Sequence, residues 1–305
     1  MEASMFKSQF KYYRNKANKP NERELGSCLT PRPTHGVLND ISEQSLKDLG
    51  LTDPTQWTVF EHNQHPGLLV VKNVFSNDGQ YYWIHRCVVD YPAPPNLNNL
   101  SPIGLLSNDE NWYDVCLNYS ARKSAIFRKL RWVTLGYHHN WDTKVYSDDR
   151  RSPFPQDLAR LCEIVARVVT GCGFSAEAAI VNYYYHSSTI SGHTDHSEPN
   201  VDAPLLSFSF GDSAIFLIGG ASHDDPASPI LIESGDVVIM SGPSRLSVHG
   251  VPRILPAKEH PWEQLNNNAK ADPHRDIVTE FISQARVNMN VRQVLFPGEK
   301  TLNGH

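Results

Sequence analysis

Short apolar runs, separated by glycine, proline, serine and aspartate, fill the chain from residue 178 onward. Their β-branched and aromatic residues are typical of strands, and the regular spacing of the turn residues favours an antiparallel sandwich or barrel. The runs are AAIVNYYY, LLSFSFG, SAIFLIGG, PILIESG, DVVIMSG, RLSVHGVPRIL and ARVNMNVRQVLF. We therefore predict an α+β fold whose core, residues 178–298, is a double-stranded β-helix of the jelly-roll or cupin-like class.

Helical periodicity marks the N-terminus. Phe6, Phe10 and Tyr13 recur at a spacing of three to four residues, which predicts a basic helix over residues 1–24. Residues 25–65 are polar and rich in proline, asparagine and threonine, so we expect an irregular arm there. Together these residues form a first predicted segment, 1–65.

A second predicted segment, residues 66–177, mixes helices and strands and supports the core from the substrate side. Its amphipathic helix Asp157–Gly171 carries an apolar stripe and a terminal glycine. The other expected elements are the strand GLLVVKNVF, the helix GQYYWIHRCVVDY, one helix within residues 112–131 and the aromatic strand RWVTLGYHHNWDTKVY.

Cysteine usage and hydropathy limit the compartment. The five cysteines of this 305-residue chain are scattered and form no CxxC pair, which favours free thiols in a reducing environment over a zinc site or disulfide framework. No apolar run reaches membrane-spanning length, and the start lacks the apolar region of a secretory signal. We expect an intracellular monomer with no membrane association.

Basic residues are clustered although the net charge is −5. One cluster lies at the N-terminus and the other after residue 121, and either could neutralise phosphates or form a solvated helix face. The first comprises Lys7, Lys11, Arg14, Lys16, Lys19 and Arg23, and the second Arg122, Lys123, Arg128, Lys129 and Arg131.

The stretch VNYYYHSSTISGHTDHSE suggests a metal site. In extended backbone His193 and Asp195 project to the same side, so an imidazole and a carboxylate can point at one ion. Among the later histidines His249 follows a β-rich run, GDVVIMSGPSR, which can bring it back over that pair. Two histidines and one carboxylate form the ligand face of non-haem Fe(II) oxygenases.

The last apolar run predicts a receptor for a dicarboxylate. In ARVNMNVR, Arg286, Asn288, Asn290 and Arg292 alternate with apolar residues and therefore share one face of a strand. Guanidinium groups with carboxamides between them suit carboxylate binding. Asn182 and Tyr184, also two residues apart, can donate to the same molecule.

These motifs together resemble the AlkB family of Fe(II)/2-oxoglutarate-dependent dioxygenases. The resemblance rests on HxD…H, on NxY and RxNxNxR, and on longer strings such as LRWVTLGYHHNWD, LLSFSFGDSAIFLIGG and SGDVVIMSGPSRLSVHGVPRILP. It covers residues 66–295 and is strongest to the animal members. One departure is Asn290, where the family usually has threonine.

The resemblance implies the cofactors and the reaction. His193, Asp195 and His249 are expected to bind Fe(II), and Asp195 is also expected to be the catalytic residue. The co-substrate 2-oxoglutarate is expected to meet Arg286, Asn182 and Tyr184 at its C5 carboxylate, and Asn288 and Arg292 at its C1 end. With O2, it is converted to succinate while a methyl group of the substrate is hydroxylated and lost as formaldehyde.

Family members that act on nucleic acid take the modified base out of its stack. The aromatic segment is either such a base-stacking surface or ordinary core packing. The residues predicted to contact substrate are Trp112, Trp132, Tyr137, His138 and His139. Relatives are associated with N6-methyladenine in DNA and with 1-methyladenine and 5-methylcytosine in tRNA, which implies roles in DNA repair or tRNA modification.

Three hypotheses follow. The first is a demethylase or oxidase of methylated bases in DNA or tRNA, single-stranded or locally unpaired, in the nucleus, mitochondrion or cytoplasm. The second is a protein (histone) demethylase or hydroxylase with the same chemistry, for which Arg122–Arg131 would be dispensable in substrate binding. The third is a non-catalytic jelly-roll module that binds nucleic acid.

Overall fold

Two antiparallel sheets face each other at the centre of the fold. This is a computed structural model, which describes residues 4–21, 23–34, 41–266 and 271–302. The strands in chain order are β1 (Leu29–Arg32), β2 (Thr58–His62), β3 (Leu68–Lys72), β4 (Leu97–Asn98), β5 (Trp132–Gly136), β6 (Ala178–Tyr185), β7 (Ile190–His193), β8 (Leu205–Gly211), β9 (Ser213–Ile218), β10 (Ser228–Ile232), β11 (Val237–Met240), β12 (His249–Leu255) and β13 (Ala285–Arg292).

The strand order confirms the predicted jelly-roll class. Within the described residues the large sheet runs β1-β2-β3-β11-β8-β13-β6-β5-β4, and the small sheet runs β10-β9-β12-β7. All of these pairs are antiparallel, and after β6 the chain passes back and forth between the sheets, with the hairpin β9–β10 staying within the small sheet. The predicted strands of residues 178–298 are therefore present and rolled around one interior.

Alternation along the strands separates two cores. In β13, Val287 and Met289 point to the helical side of the large sheet. In β3, Leu68 and Val70 point the other way and meet Ile218 of the small sheet. Because residues two apart share a face, the polar residues of β13 must line the space between the sheets.

Helices cover the outer face of the large sheet, where the main apolar core lies. The longest of them begins at Gln156 and ends at a left-handed Gly171 (φ 74°), as the sequence predicted. The helices in chain order are α1 (Met5–Arg14), α2 (Glu43–Asp48), α3 (Asn77–His85), α4 (Trp112–Asn118), α5 (Ser120–Ile126), α6 (Gln156–Thr170) and α7 (Arg275–Ile282).

The N-terminal helix is shorter than predicted and packs against the small sheet. α1 ends at Arg14 because Asn15 leaves the helical conformation (ψ 117°) and accepts from the Ala17 amide. Its buried Phe6 and Tyr13 lie against Ile215 and Leu217 of β9. Helix α1 therefore covers the small sheet from outside.

The expected irregular arm over residues 25–65 is wrong for most of its described part. β1 and β2 add to the edge of the large sheet through β3, and α2 lies between them in the chain. Polar composition hid these elements because edge strands keep much of their surface in solvent, as the exposed Thr30 and Pro31 of β1 do. Strands from all three predicted segments thus share one sheet.

Two further expectations are corrected in the middle of the chain. Residues 112–131 form α4 and α5, not one helix, because the backbone is extended at Tyr119 (φ −133°, ψ 86°). The aromatic strand stops at Gly136 (φ 69°), where a Cβ would lie 2.0 Å from the carbonyl oxygen of Glu177. Residues 137–146 therefore form a loop instead of continuing the strand.

Across the described residues, no helix combines the length and apolar character that a bilayer crossing requires.

Candidate active site

Two neighbouring strands of the small sheet carry the candidate metal ligands. His193 ends β7 and His249 begins β12, and the two residues are direct partners across the ladder. Asp195 follows His193 by two residues, where the chain leaves the sheet. The three side chains offer ligand atoms that lie within 4.8 Å of one another. The structure therefore brings together the three residues that the sequence singled out.

Both imidazoles are held with the same nitrogen turned inward. The Nδ1–H groups of His193 and His249 donate to the carbonyl oxygens of Ser191 and Ser247, each at 3.0 Å. This turns each Nε2 toward Asp195, at 3.9 and 3.8 Å from its carboxylate oxygens. Backbone carbonyls commonly fix metal-binding histidines in this way.

The electrostatic environment also favours the metal-binding protonation states. Burial, together with His193, lowers the pKa of His249 to about 4, so its ring is neutral at physiological pH. Burial opposes ionisation of Asp195, but Arg292 and the two histidines outweigh it and hold the pKa of the carboxyl well below its ordinary value. A neutral imidazole and an ionised carboxylate are the forms that bind a divalent cation.

A buried network of charges fixes Asp195 from behind. Arg292 lies 3.0 Å from Asp195 Oδ2 through one nitrogen and 2.9 Å from Glu198 Oε1 through Nε. Arg245 donates to Glu198 Oε2 at 2.8 Å and to the Asp195 carbonyl oxygen at 2.7 Å. Two carboxylates and two guanidinium groups thus balance one another, and Tyr146 completes the network by donating to Glu198.

A cavity of ≈ 230 Å³ extends from the metal ligands between the two sheets. Arg286 lies in its wall, 4% exposed, with its Nη2 donating to Ser209 Oγ at 2.8 Å and its guanidinium 5.1 Å from the ring centre of Tyr184. Its Nε and Nη1 are buried and have no hydrogen-bond partner within the protein. A buried cation with two unused donors is costly unless an anion binds it.

The remaining predicted co-substrate residues line the same cavity. Asn288 donates from Nδ2 to Ser207 Oγ at 2.8 Å and to the Phe208 carbonyl oxygen at 3.0 Å. Asn182, Tyr184, Asn290 and Arg292 are also in the wall. The cavity therefore joins a two-histidine, one-carboxylate cluster to an anion receptor, and its residues fit Fe(II) and a dicarboxylate.

The mouth of this cavity is aromatic. Trp141, 38% exposed, lines the cavity and also an adjoining one of ≈ 410 Å³. Its ring centre lies 5.1 Å from that of Trp132, and Arg131 is in the wall of the adjoining cavity. Trp132 is thus the one predicted substrate residue that reaches the opening in the described chain.

Four predicted substrate residues lie elsewhere. Trp112 is fully buried on the helical side of the large sheet between Phe127 and Phe281, so a substrate contact for it is wrong. Its burial cannot be predicted by counting the aromatic residues that are near it in the sequence.

The three residues after β5 are packing residues, which also corrects the prediction for them. Tyr137 donates to Asp148, and His138 is 4% exposed and bonded to Thr134 Oγ1 at 2.8 Å. His139 is 8% exposed, and its ring lies 4.9 Å from the ring of Trp141, which it supports from below the mouth. After the turn at Gly136, Tyr137 and His138 are buried away from the opening, and His139 lies beneath Trp141.

Comparison with known proteins agrees with this geometry. The family profile of the 2OG-Fe(II) oxygenase superfamily matches residues 67–292. The nucleic acid dioxygenase ALKBH1 of Mus musculus is 35% identical over 331 residues, which cover 96% of this chain and 85% of that protein. The chain belongs to the 2OG-Fe(II) oxygenases of the AlkB family.

Two further relatives carry more specific names. The tRNA demethylase abh1 of Schizosaccharomyces pombe is 38% identical and covers 77% of this chain and 82% of its own length. The DNA N(6)-methyladenine demethylase ALKBH1A of Arabidopsis thaliana is 31% identical, with 77% of each chain covered. As a member of this oxygenase family the chain is an enzyme that uses Fe(II) and 2-oxoglutarate, and not a non-catalytic binding module.

Sequence reasoning missed three residues of this AlkB-family site. Glu198 and Arg245 brace Asp195, and both stand in strings already noted, HTDHSE and SGPSR. Both lie in loops, Glu198 after β7 and Arg245 before β12, so no strand pattern marks them as buried. Trp141 belongs to the aromatic segment RWVTLGYHHNWDTKVY but is not among the predicted substrate residues, because no local pattern tells which side of a loop faces an opening.

Proposed function

We propose that this oxygenase removes or oxidises methyl groups on nucleic-acid bases. The observation that carries the proposal is one cavity with the His193–Asp195–His249 cluster at its end and the unsatisfied donors of Arg286 in its wall. With Fe(II) and 2-oxoglutarate bound, this chemistry hydroxylates a C–H bond next to nitrogen, after which formaldehyde leaves. The protein residues supply binding, orientation and exclusion of water.

In this proposal the two Nε2 atoms and the Asp195 carboxylate hold the iron. His193 and His249 are oriented by their Nδ1–H bonds to carbonyl oxygens, so neither ring needs to reorganise when the ion binds. Asp195 is kept ionised by Arg292, and its position is fixed by the network that includes Glu198. The role of Asp195 is that of a ligand, and in this sense it is the catalytic carboxylate.

Arg286 is proposed to pair with the distal carboxylate of 2-oxoglutarate. Its Nε and Nη1 are buried without partners in the protein, so the guanidinium keeps donors that a carboxylate can accept. Tyr184 lies beside the guanidinium and Asn182 is in the same wall, so both can add donors. Asn288 is proposed for the C1 end together with Arg292, whose contact with Asp195 joins co-substrate and metal positions.

The residues at the mouth of the cavity favour a flat substrate that stacks on aromatic rings. Trp141 and Trp132 present two rings at the mouth, and Lys144 lies 5.8 Å from the Trp141 ring centre. Arg131, in the wall of the adjoining cavity, donates to Ser188 Oγ at 2.9 Å. Aromatic faces next to cations suit an unpaired base and its phosphate. We therefore propose single-stranded or locally unpaired DNA or tRNA, in keeping with the names of the relatives.

The second basic cluster offers fewer cations for phosphate binding than its composition suggests. Arg122 forms a pair with Glu110 through two nitrogens, and Lys123 pairs with Glu280. Both side chains are therefore already neutralised by carboxylates. Of this cluster, we assign the nucleic-acid contact to Arg131, which is the member at the cavity.

The proposal also includes the oligomeric state and the compartment. We propose a monomer that takes O2 from solution and acts where its polymer is, in the nucleus, the mitochondrion or the cytoplasm. Imaging of the fluorescently tagged chain, with fractionation, tests the compartment. Detection at a secretory membrane would contradict it.

The decisive test of substrate class is nucleoside mass spectrometry. The purified enzyme with iron, ascorbate and 2-oxoglutarate is incubated with matched oligonucleotides that carry N6-methyladenine, 1-methyladenine or 5-methylcytosine, as DNA and as tRNA stem-loops, single-stranded or paired. The proposal expects loss of at least one modification, faster in unpaired forms. Turnover of 2-oxoglutarate that is stimulated by methylated histone peptides and by none of the nucleic acids would favour the protein-directed alternative.

A further inference from the structure

A second cluster of metal-binding groups lies on the opposite side of the large sheet from the active site. His85, Asp272 and His274 offer ligand atoms within 4.8 Å of one another, as the active-site triad does. His85 is at the C-terminal end of α3, while Asp272 and His274 precede α7. We propose that these residues bind a divalent transition-metal ion, with Zn(II) as the best fit.

The separations suit an ion better than a hydrogen bond. His85 Nε2 lies 3.5 Å from Asp272 Oδ2, which is too long for a strong charge-assisted bond. Ligand atoms about 2.0–2.1 Å from a tetrahedral zinc lie about 3.3 Å from each other. The spacing therefore needs little adjustment for both groups to share one cation.

Two of the candidate ligands are held by hydrogen bonds. Asp272 Oδ2 accepts from the Tyr81 hydroxyl at 2.8 Å, and its Oδ1 accepts from the His274 amide at 2.8 Å. The Tyr113 hydroxyl lies 2.6 Å from His274 Nδ1, which leaves Nε2 for the ion. His85 Nδ1 lies 3.6 Å from an oxygen of Asp90, which is an electrostatic contact and not a hydrogen bond. Tyr81 and Tyr113 are themselves buried, so these orientations are rigid.

The wall beside the cluster carries a net negative charge, which favours binding of a cation. A cavity of ≈ 820 Å³ opens beside His85 and Asp272. Its charged wall residues are four aspartates and two bases, a surplus of two negative charges: Asp48, Asp78, Asp90, Asp272, Lys47 and Arg86. A divalent ion would neutralise that surplus, and the open side can admit a water molecule as fourth ligand.

The donor set selects the class of metal. Two imidazoles and one carboxylate favour zinc or another late first-row ion, whereas Ca²⁺ and Mg²⁺ require mainly oxygen ligands. Bound there, the ion would tie α3 to the start of α7, the helix that leads into β13 and its Arg286. We expect a stabilising role, because none of the three ligands reaches the active-site cavity.

The test uses the full chain with the active-site triad disabled, so its outcome does not depend on the proposed function. In the Asp195→Ala/His249→Ala protein, Zn(II) titration against a chelating dye is expected to give one equivalent bound and a rise in Tm. Adding Asp272→Asn and His274→Gln should weaken binding by at least about 100-fold. A matched control, His186→Gln, replaces a half-exposed histidine of neither cluster and should leave binding unchanged.

Two outcomes would overturn the proposal. One is the absence of stoichiometric Zn(II) binding to the triad-disabled chain, and the other is binding that survives the Asp272→Asn/His274→Gln change. Should that variant fail to fold, Co(II) absorption of the triad-disabled chain decides instead. Intense d–d bands of a four- or five-coordinate site support the cluster, and a spectrum equal to that of free Co(II) contradicts it.

Discussion

Arg292 and Asp195 form a buried ion pair at 3.0 Å, and this contact joins the last strand of the large sheet to the metal site on the small sheet. Arg292 is 4% exposed along its side chain and also contacts Glu198. The pair therefore couples three features of the site, namely the ionisation of Asp195, its position and the wall of the co-substrate cavity.

Replacement of Arg292 by methionine should damage both stability and metal binding. The change leaves Asp195 and Glu198 buried without this cation, and breaking a buried pair typically costs about 3–5 kcal/mol. Urea unfolding of the metal-free protein measures the loss, and Fe(II) titration should show weaker binding. Arg292→Lys, which keeps the charge, should lose less in both. Equal stability of Arg292→Met and the native chain would refute the bracing role.

Arg286→Met should separate co-substrate binding from stability. Because Arg286 Nε and Nη1 are buried without partners, loss of the cation should leave the ligand-free protein as stable or about 1–3 kcal/mol more stable. Affinity for 2-oxoglutarate should fall by about 100-fold, since hydrogen-bonded charge pairs of this kind contribute about 2–5 kcal/mol. Calorimetric titration and thermal unfolding check the two effects. Undiminished 2-oxoglutarate binding would show that another cation holds the distal carboxylate.

Trp141→Ala tests the mouth of the cavity. Stacking on an aromatic ring is worth about 1–3 kcal/mol per base, so KM for a methylated oligonucleotide should rise by about 5- to 150-fold. Turnover of 2-oxoglutarate without substrate should stay unchanged, because Trp141 is not among the groups proposed to bind iron or co-substrate. Phe296→Ala, which removes another ring of similar exposure (43% against 38%), is the matched control. If both variants change KM alike, the effect is one of general surface hydrophobicity.

His138 gives a prediction for pH. Burial lowers its pKa to about 4, against about 6.5 in an unfolded chain. Between pH 6.5 and pH 4 the histidine is protonated in the unfolded state but still neutral in the folded state. The free energy of unfolding therefore has its full value above pH 6.5 and decreases as the pH falls towards 4. His138→Asn, which can still bond Thr134, should remove up to about 3 kcal/mol of that decrease.

Urea unfolding at pH 7.5 and pH 5 measures the difference, of which about 2 kcal/mol is reached at pH 5. His62 and His249, whose pKa values are also lowered to about 4, keep part of the slope in the variant. An unchanged slope in His138→Asn would mean that His138 is not the neutral, buried group described above.

The residues of the candidate metal cluster could be found from the sequence because their signal is local or topological. His193 and Asp195 are two residues apart, and His249 follows a β run that a rolled sheet returns to the same place. The alternation in β13 likewise fixed the face of Arg286 and Arg292, because a strand has a strict two-residue period.

The substrate side was harder to predict because it depends on turns. The direction of the chain after Gly136 decides that Trp141 reaches the opening while Tyr137 and His138 do not. No periodicity encodes that direction. The predicted substrate contact of Trp112 was wrong for a related reason, because its packing partner Phe281 lies far along the chain in α7. The edge strand β1 and its neighbour β2 were missed because both are short and carry polar residues, which in β1 face the solvent.

The stoichiometry of the reaction shows whether this chain removes methyl groups by Fe(II)/2-oxoglutarate chemistry. With the best substrate of the oligonucleotide panel, succinate and formaldehyde are measured together with the demethylated nucleoside, for the native chain and for Asp195→Ala. The account predicts one succinate and one formaldehyde per methyl group removed, and no product above background with Asp195→Ala. Demethylation that continues without 2-oxoglutarate, or in the Asp195→Ala protein, would contradict it.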